Sequence, residues 1–172
     1  MALLTLDPTL VHLRDAHGRT PLHFAARANC VLLLRDIQLG GGAMTCLDVG
    51  GRSPLLYAVR RAAVDALEWL LSAGAPVGGP PDKHGLSALH HAVLAQSPRC
   101  VRALLAAGAS VHAKDLLGNS AYMLAAEVAA PSGLGANLST ERQWEVLALL
   151  KGAADAAAAA AGGGAGGSAA GR

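Results

Sequence analysis

The chain has 172 residues, 52% of them hydrophobic but only 3% aromatic, a size that suits one compact domain or one short solenoid. With 14 basic against 12 acidic residues the net charge is +2, so no global polyelectrolyte partner is implied and any electrostatic recognition is local. Cys30, Cys46 and Cys100 form no Cys-x-x-Cys pair and leave one over, which argues against a disulfide framework or a thiolate zinc site.

The N-terminus meets Asp7 and Pro8 at once without a basic lead, a poor signal peptide. No uninterrupted apolar run is long enough to span a bilayer. The expectation is a soluble intracellular protein, cytoplasmic or nuclear, with no membrane insertion.

Internal repetition organises the rest. Asp-x-x-Gly phrases begin at Asp15, Asp48, Asp82 and Asp115, spaced 33, 34 and 33 residues apart, and a fixed period of this length marks a repeat architecture. Ahead of the first phrase, residues 1–14 carry Leu3, Leu4, Leu6, Leu10, Val11 and Leu13. They read either as a degenerate repeat that caps the stack or as the end of a longer array.

In the first unit Asp15 and Gly18 build a turn, Thr20 suits a helix cap, and Pro21 suits the first helical position. Leu22, Phe24, Ala25 and Ala26 then fit a short helix whose small residues admit a close neighbour. Asn29 tolerates the left-handed geometry of a turn between helices. Val31 to Leu34 supply a second helix, and Gly40, Gly41 and Gly42 predict a loose approach to the next hairpin.

The second unit repeats the phrase with Ser53 and Pro54. Its second helix has an apolar face of Val64, Leu67, Leu70 and Leu71, with Trp69 partly buried beside them. Between the second and third units, residues 76–81 hold three Pro and two Gly, which suits an extended hairpin arm. The third unit's second helix is marked by Ser97 as cap, Pro98, and apolar Cys100, Val101, Leu104 and Leu105.

The fourth unit is interrupted at Pro131 to Gly135, and its late helix starts with capping-box spacing at Thr140 and Gln143 before Val146, Leu147, Leu149 and Leu150. The interruption reads as a loop, and after Gly152 an Ala/Gly-rich stretch, residues 153–172, reads as a flexible tail that Ala extends as helix only briefly.

The phrase Gly18-Arg19-Thr20-Pro21-Leu22-His23-Phe24-Ala25-Ala26 resembles the signature of the ankyrin repeat family. Ser53-Pro54-Leu55-Leu56-Tyr57-Ala58, Ser87-Ala88-Leu89-His90-His91-Ala92 and Ser120-Ala121-Tyr122-Met123-Leu124-Ala125 keep its capping hydroxyl and small Ala. Leu70 to Ala75 and Leu104 to Ala109 resemble the family's second-helix ending. The resemblance implies an all-α solenoid of helix-turn-helix units with short hairpin loops over residues 15–152. Ala62 departs from the Gly usual at its turn, which predicts modest backbone strain or a merged helix.

Catalytic chemistry is not indicated. His23 and His90 fall in the signature, where the resemblance implies a hydrogen bond to the neighbouring hairpin, and His90 and His91 point in different helical directions, a poor chelate. Residues 40–42 and 162–167 lack the Lys-Ser/Thr of a phosphate loop. Cys30 and Cys100 read as buried small hydrophobes in second helices. The chain is therefore expected to be a non-catalytic, monomeric module with no cofactor and no metal.

The resemblance implies a protein-interaction module whose concave face grips a partner protein. A regulatory or substrate-docking fragment of a larger enzyme is the alternative. Arg19 and Arg52 share one register, Arg27 and Arg60 share another, and Arg61 follows. The third unit continues with Lys83, His84, Leu86 and Leu94, so the surface grades from basic to apolar. These nine residues are the candidate partner-binding set for an acidic or phosphorylated segment held by bidentate Arg contacts. Few aromatics and no long basic stripe argue against nucleic acid.

Overall fold

The computed structural model describes residues 8–129 and 139–162. Each Asp-x-x-Gly phrase closes a hairpin turn by the same device. Asp15 Oδ1 accepts from the backbone amides of His17 and Arg19, both at 2.9 Å. Asp48 does the same with Gly50 and Arg52, Asp82 with His84 and Leu86, and Asp115 with Leu117 and Asn119. A short carboxylate side chain that reaches amides two and four residues ahead adds to the backbone bond by which each Asp amide donates to the carbonyl four residues on. Gly18, Gly51, Gly85 and Gly118 complete the turns at φ between +73° and +85°, a region open to residues without a Cβ.

Successive hairpins are joined backbone to backbone, the Val49 amide donating to the His17 carbonyl at 2.9 Å and the Lys83 amide to the Gly50 carbonyl at 3.0 Å. Among the described residues the extended pairing is limited to an isolated antiparallel bridge between Lys114 and Ser120. The fold is all-α.

Among the described residues a short 3-10 helix at Pro8–His12 leads into eight α-helices. They are α1 Pro21–Arg27, α2 Val31–Leu39, α3 Pro54–Arg60, α4 Val64–Ser72, α5 Ala88–Leu94, α6 Pro98–Ala106, α7 Ala121–Ala129 and α8 Ser139–Gly162. They pair in sequence, and α1, α3, α5 and α7 stack on one another as a layer beside the hairpins while α2, α4, α6 and α8 form the layer behind. In the first three units the front helices have seven residues and the rear helices nine.

The core is a set of columns, because one register position meets its equivalent one unit away. Leu34, Leu67 and Val101 share a position, as do Ile37, Leu70 and Leu104, and all six are fully buried. Ala25, Ala58 and Ala92, each with no exposed surface, let the front helices approach closely. At the N-terminal end Val11 is 2% exposed and packs beside Gly40, so the 3-10 helix covers the first unit's apolar columns.

The turns between paired helices show where residue chemistry and backbone disagree. Asn29, Ala62 and Gln96 occupy one register position and all have positive φ, +55°, +52° and +48°. Ala62 thus takes the strained turn and not a merged helix. Gln96, unremarked in the sequence, does the same.

Three expectations need correction or qualification. Cys30 is exposed and precedes α2 as its cap residue, while Cys100 is buried. Ala63 and Ser97, the register equivalents of Cys30, follow the same left-handed turn and are buried, so the exposure of residue 30 belongs to the first unit and not to the turn. The glycines after α2 are not simply slack, since a Cβ at Gly42 would come within 2.5 Å of the Ile37 side chain. Helix α8 continues ten residues beyond Gly152 to Gly162. The interruption at residues 131–135, the capping side chain of Thr140 and the tail from residue 163 lie outside the described residues.

Candidate functional site

Arg19 and Arg52 stand four residues after Asp15 and Asp48, and the hairpin turns each guanidinium onto its own aspartate. Arg19 donates from Nε to Asp15 Oδ2 at 2.7 Å, with Nη2 at 2.6 Å from the same oxygen. Arg52 repeats the grip on Asp48 at 2.9 and 2.8 Å. Each guanidinium also lies over the ring one helical turn into its unit: Arg19 is 4.7 Å from the Phe24 centroid and Arg52 5.5 Å from Tyr57, within the range of cation–π attraction.

The Tyr57 hydroxyl donates to Asp48 Oδ2 at 2.8 Å. The Arg19 side chain, opposed by some loss of solvation, brings the Asp15 carboxyl down to about 2. Burial alone would raise Asp48, but the amide and guanidinium of Arg52 and the Tyr57 hydroxyl outweigh it and bring it to about 2. Both carboxylates are ionised at neutral pH, and Arg19 and Arg52 serve first as props for the hairpins.

Arg27 and Arg60, at the C-terminal ends of α1 and α3, and Arg61 just beyond are exposed. Among the described residues they form no ion pair. Together with Arg19, Arg52 and Tyr57 they line an open cavity of about 330 Å³ between the first two units. Among the described residues no carboxylate lines it.

A second cavity of the same volume lies one unit along and shares Arg52 and Arg60. Lys83, His84, Leu86 and Leu94 complete its sequence-predicted lining. The structure therefore gathers all nine predicted residues into two adjoining grooves in the angle between hairpins and front helices. The floor of the second groove is a buried pair, His91 Nε2 3.0 Å from Asp82 Oδ2. Burial lowers the His91 pKa, with Asp82 opposing it, so the neutral ring donates to the carboxylate at neutral pH.

Sequence reasoning missed Tyr57, Asp82 and His91 as parts of these grooves, and Asp48 as the group that holds Arg52 and Tyr57 beside them. The detectable signal was Asp-x-x-x-Arg, present at 15/19 and again at 48/52. Its recurrence on one hairpin position marks an internal ion pair. Among the described residues no group of three or more His, Cys, Asp or Glu is arranged to hold a metal ion.

His23 and His90 act between units. The Thr20 amide donates to His23 Nδ1 at 3.0 Å, which leaves the proton on Nε2, and Nε2 donates to the Arg52 carbonyl at 3.0 Å. His90 is held by the Ser87 amide and reaches the Asn119 carbonyl at 3.0 Å. Leu56 holds this position in the second unit.

Residues 2–78 and 33–115 match the family model described as ankyrin repeats (3 copies). The chain belongs to the ankyrin repeat family. It is 32% identical over 113 residues to the nuclear factor NF-kappa-B p105 subunit of Rattus norvegicus, covering 64% of this chain and 12% of that protein. It is 31% identical over 135 residues to the B-cell lymphoma 3 protein homolog of Mus musculus, covering 70% of this chain and 30% of that protein. A Danio rerio protein named as a palmitoyltransferase, ZDHHC13, is 30% identical over 126 residues, 73% of this chain and 19% of that protein. The chain thus spans less than a third of the length of each. Ankyrin repeats are in general protein-binding modules, and among the described residues no helix is long and apolar enough to cross a membrane.

Proposed function

We propose that this chain is a non-catalytic module that holds an extended acidic or phosphorylated segment of a partner protein along the two adjoining grooves. The observation that carries the reading is the cavity lined by five arginines and, among the described residues, no carboxylate. Arginine offers five donors and no acceptor, so this lining calls for a ligand rich in acceptor oxygens. Leu86 and the half-exposed Leu94 in the second groove supply an apolar anchor, the usual complement of a charged contact in peptide recognition.

Nucleic acid is disfavoured because Tyr57 is 9% exposed, with its ring already faced by Arg52, and is not a platform on which a base could stack. Three free thiols support a reducing compartment, cytoplasmic or nuclear. A second reading, a docking or regulatory region within a larger enzyme, draws support from the ZDHHC13 likeness. The grooves would then hold a substrate or a segment of the enzyme itself.

The test is binding to a captured partner by the triple variant Arg27→Glu, Arg60→Glu, Arg61→Glu. Arg19 and Arg52 stay intact because their loss would disturb the hairpins. Loss of binding with an unchanged helical circular dichroism signal, and parent affinity that falls as salt rises, support the reading. A triple variant that binds as tightly as the parent overturns it.

A further inference from the structure

We propose that the five-arginine cavity seats one phosphorylated side chain, and that an apolar residue about three positions away in the same segment seats on Leu86 and Leu94. The proposal rests on the concave-groove reading above and commits it to one ligand chemistry and one register.

Charge selects phosphate over carboxylate. Of the five arginines lining the cavity, Arg19 and Arg52 are already matched by Asp15 and Asp48. Arg27, Arg60 and Arg61 remain as three cations with no ion pair among the described residues. A phosphomonoester brings a charge of about −1.5 to −2 and three acceptor oxygens, against one charge and two oxygens for Glu or Asp. The Tyr57 proton is committed to Asp48, so the donors facing the ligand are supplied by the arginines. The matched pairs do not compete for the ligand, since each aspartate is turned onto its own hairpin and neither lines the cavity.

Geometry sets the register. The basic cavity lies between the first two units and the Leu86/Leu94 cavity one unit further on, with Arg52 and Arg60 as their common wall. Packed helices lie about 8–10 Å apart and an extended chain advances about 3.3 Å per residue. One unit of the stack therefore spans about three residues of an extended ligand.

The experiment uses the full chain and fluorescently labelled peptides in a Gly/Ser host, read by anisotropy. One peptide carries phosphoserine alone. Others carry phosphoserine with Leu three residues before or three residues after it, and matched peptides replace phosphoserine by Ser or by Glu. The expected result is that one phosphoserine–Leu peptide binds about tenfold more tightly than its Glu counterpart, the difference one charge-assisted hydrogen bond supplies. Leu94→Ser should remove the advantage of Leu and leave the phosphoserine-only peptide unaffected. Arg60→Lys, which keeps the charge but not the fork, should weaken phosphoserine binding. Equal affinity of Glu and phosphoserine peptides, still lost in the Arg triple variant, overturns phosphate selectivity while leaving the groove reading in place. Binding of any of these peptides unaffected by the Arg triple variant overturns both.

Discussion

His23, on the front helix of the first unit, donates from Nε2 to the carbonyl of Arg52 in the next unit's hairpin across 3.0 Å. The bond links two units and at the same time fixes the hairpin from which Arg52 enters the groove. Leu56 at the equivalent position shows that a leucine fits this site in the stack. His23→Leu is therefore expected to fold but to leave the Arg52 carbonyl and the Thr20 amide without their partner, at a cost of about 1–3 kcal/mol. A urea denaturation midpoint equal to the parent's contradicts the staple.

Acid should weaken the stack in two stages. Burial holds His23 and His91 below the ordinary histidine value, so the unfolded chain takes up protons first and stability falls as pH drops through about 6.5. Protonation of His23 Nδ1 also removes the acceptor of the Thr20 amide. Asp15 and Asp48, both lowered to about 2, add stability that is full above the unfolded carboxylate value of about 3.9 and is lost as pH falls towards 2. Denaturation midpoints at pH 7.5, 5.5 and 3.0 should decrease in that order. An equal midpoint at 7.5 and 5.5 contradicts the histidine stage.

Two glycine substitutions at one register position should have opposite signs. Ala62 has φ +52° and is exposed, so Ala62→Gly relieves a left-handed residue and should stabilise by about 1 kcal/mol. Asn29 has φ +55° but also bridges to the next unit, with Nδ2 donating to Asp65 at 2.9 Å and Oδ1 accepting from the Ala66 amide at 2.8 Å. Asn29→Gly should destabilise. Thermal midpoints that move the same way for both variants contradict this account.

Alanine at two other glycines separates backbone strain from crowding. Gly108 has φ +85° and open space where a Cβ would lie, so Gly108→Ala should cost about 1–2 kcal/mol. At Gly85, φ +77°, a Cβ would lie 2.6 Å from the Leu116 amide nitrogen in the next hairpin. Gly85→Ala should cost clearly more and speed amide exchange at Leu116. Equal stability of the two variants contradicts the hairpin contact.

The repeat was legible because its determinants are local: an Asp two and four residues from the amides it binds, a Gly at the left-handed position, and a capping hydroxyl before each front helix. The Arg columns were legible for the same reason, since register alone stacks them. What could not be read was how each arginine is used. Arg19 and Arg27 look alike in the chain, yet the hairpin folds one onto Asp15 and leaves the other open, a difference set by side-chain direction and not by spacing. Cys30 was misplaced because it is the cap residue before α2 and not part of the helix, and in the first unit this register position is exposed although Ala63 and Ser97 are buried there. The reach of α8 to Gly162 was underestimated because an Ala run supports either helix or tail until something packs near its beginning.

The central claim is that the angle between hairpins and front helices is the binding face. Chemical-shift mapping of the isotopically labelled chain, titrated with the phosphoserine–Leu peptide, tests it most directly. The account predicts the largest amide changes at Arg27, Arg60, Arg61, Tyr57, Leu86 and Leu94, all lining the two cavities. Changes confined to the exposed leucines of α2, Leu32 and Leu39, would place the partner on the rear layer and contradict it.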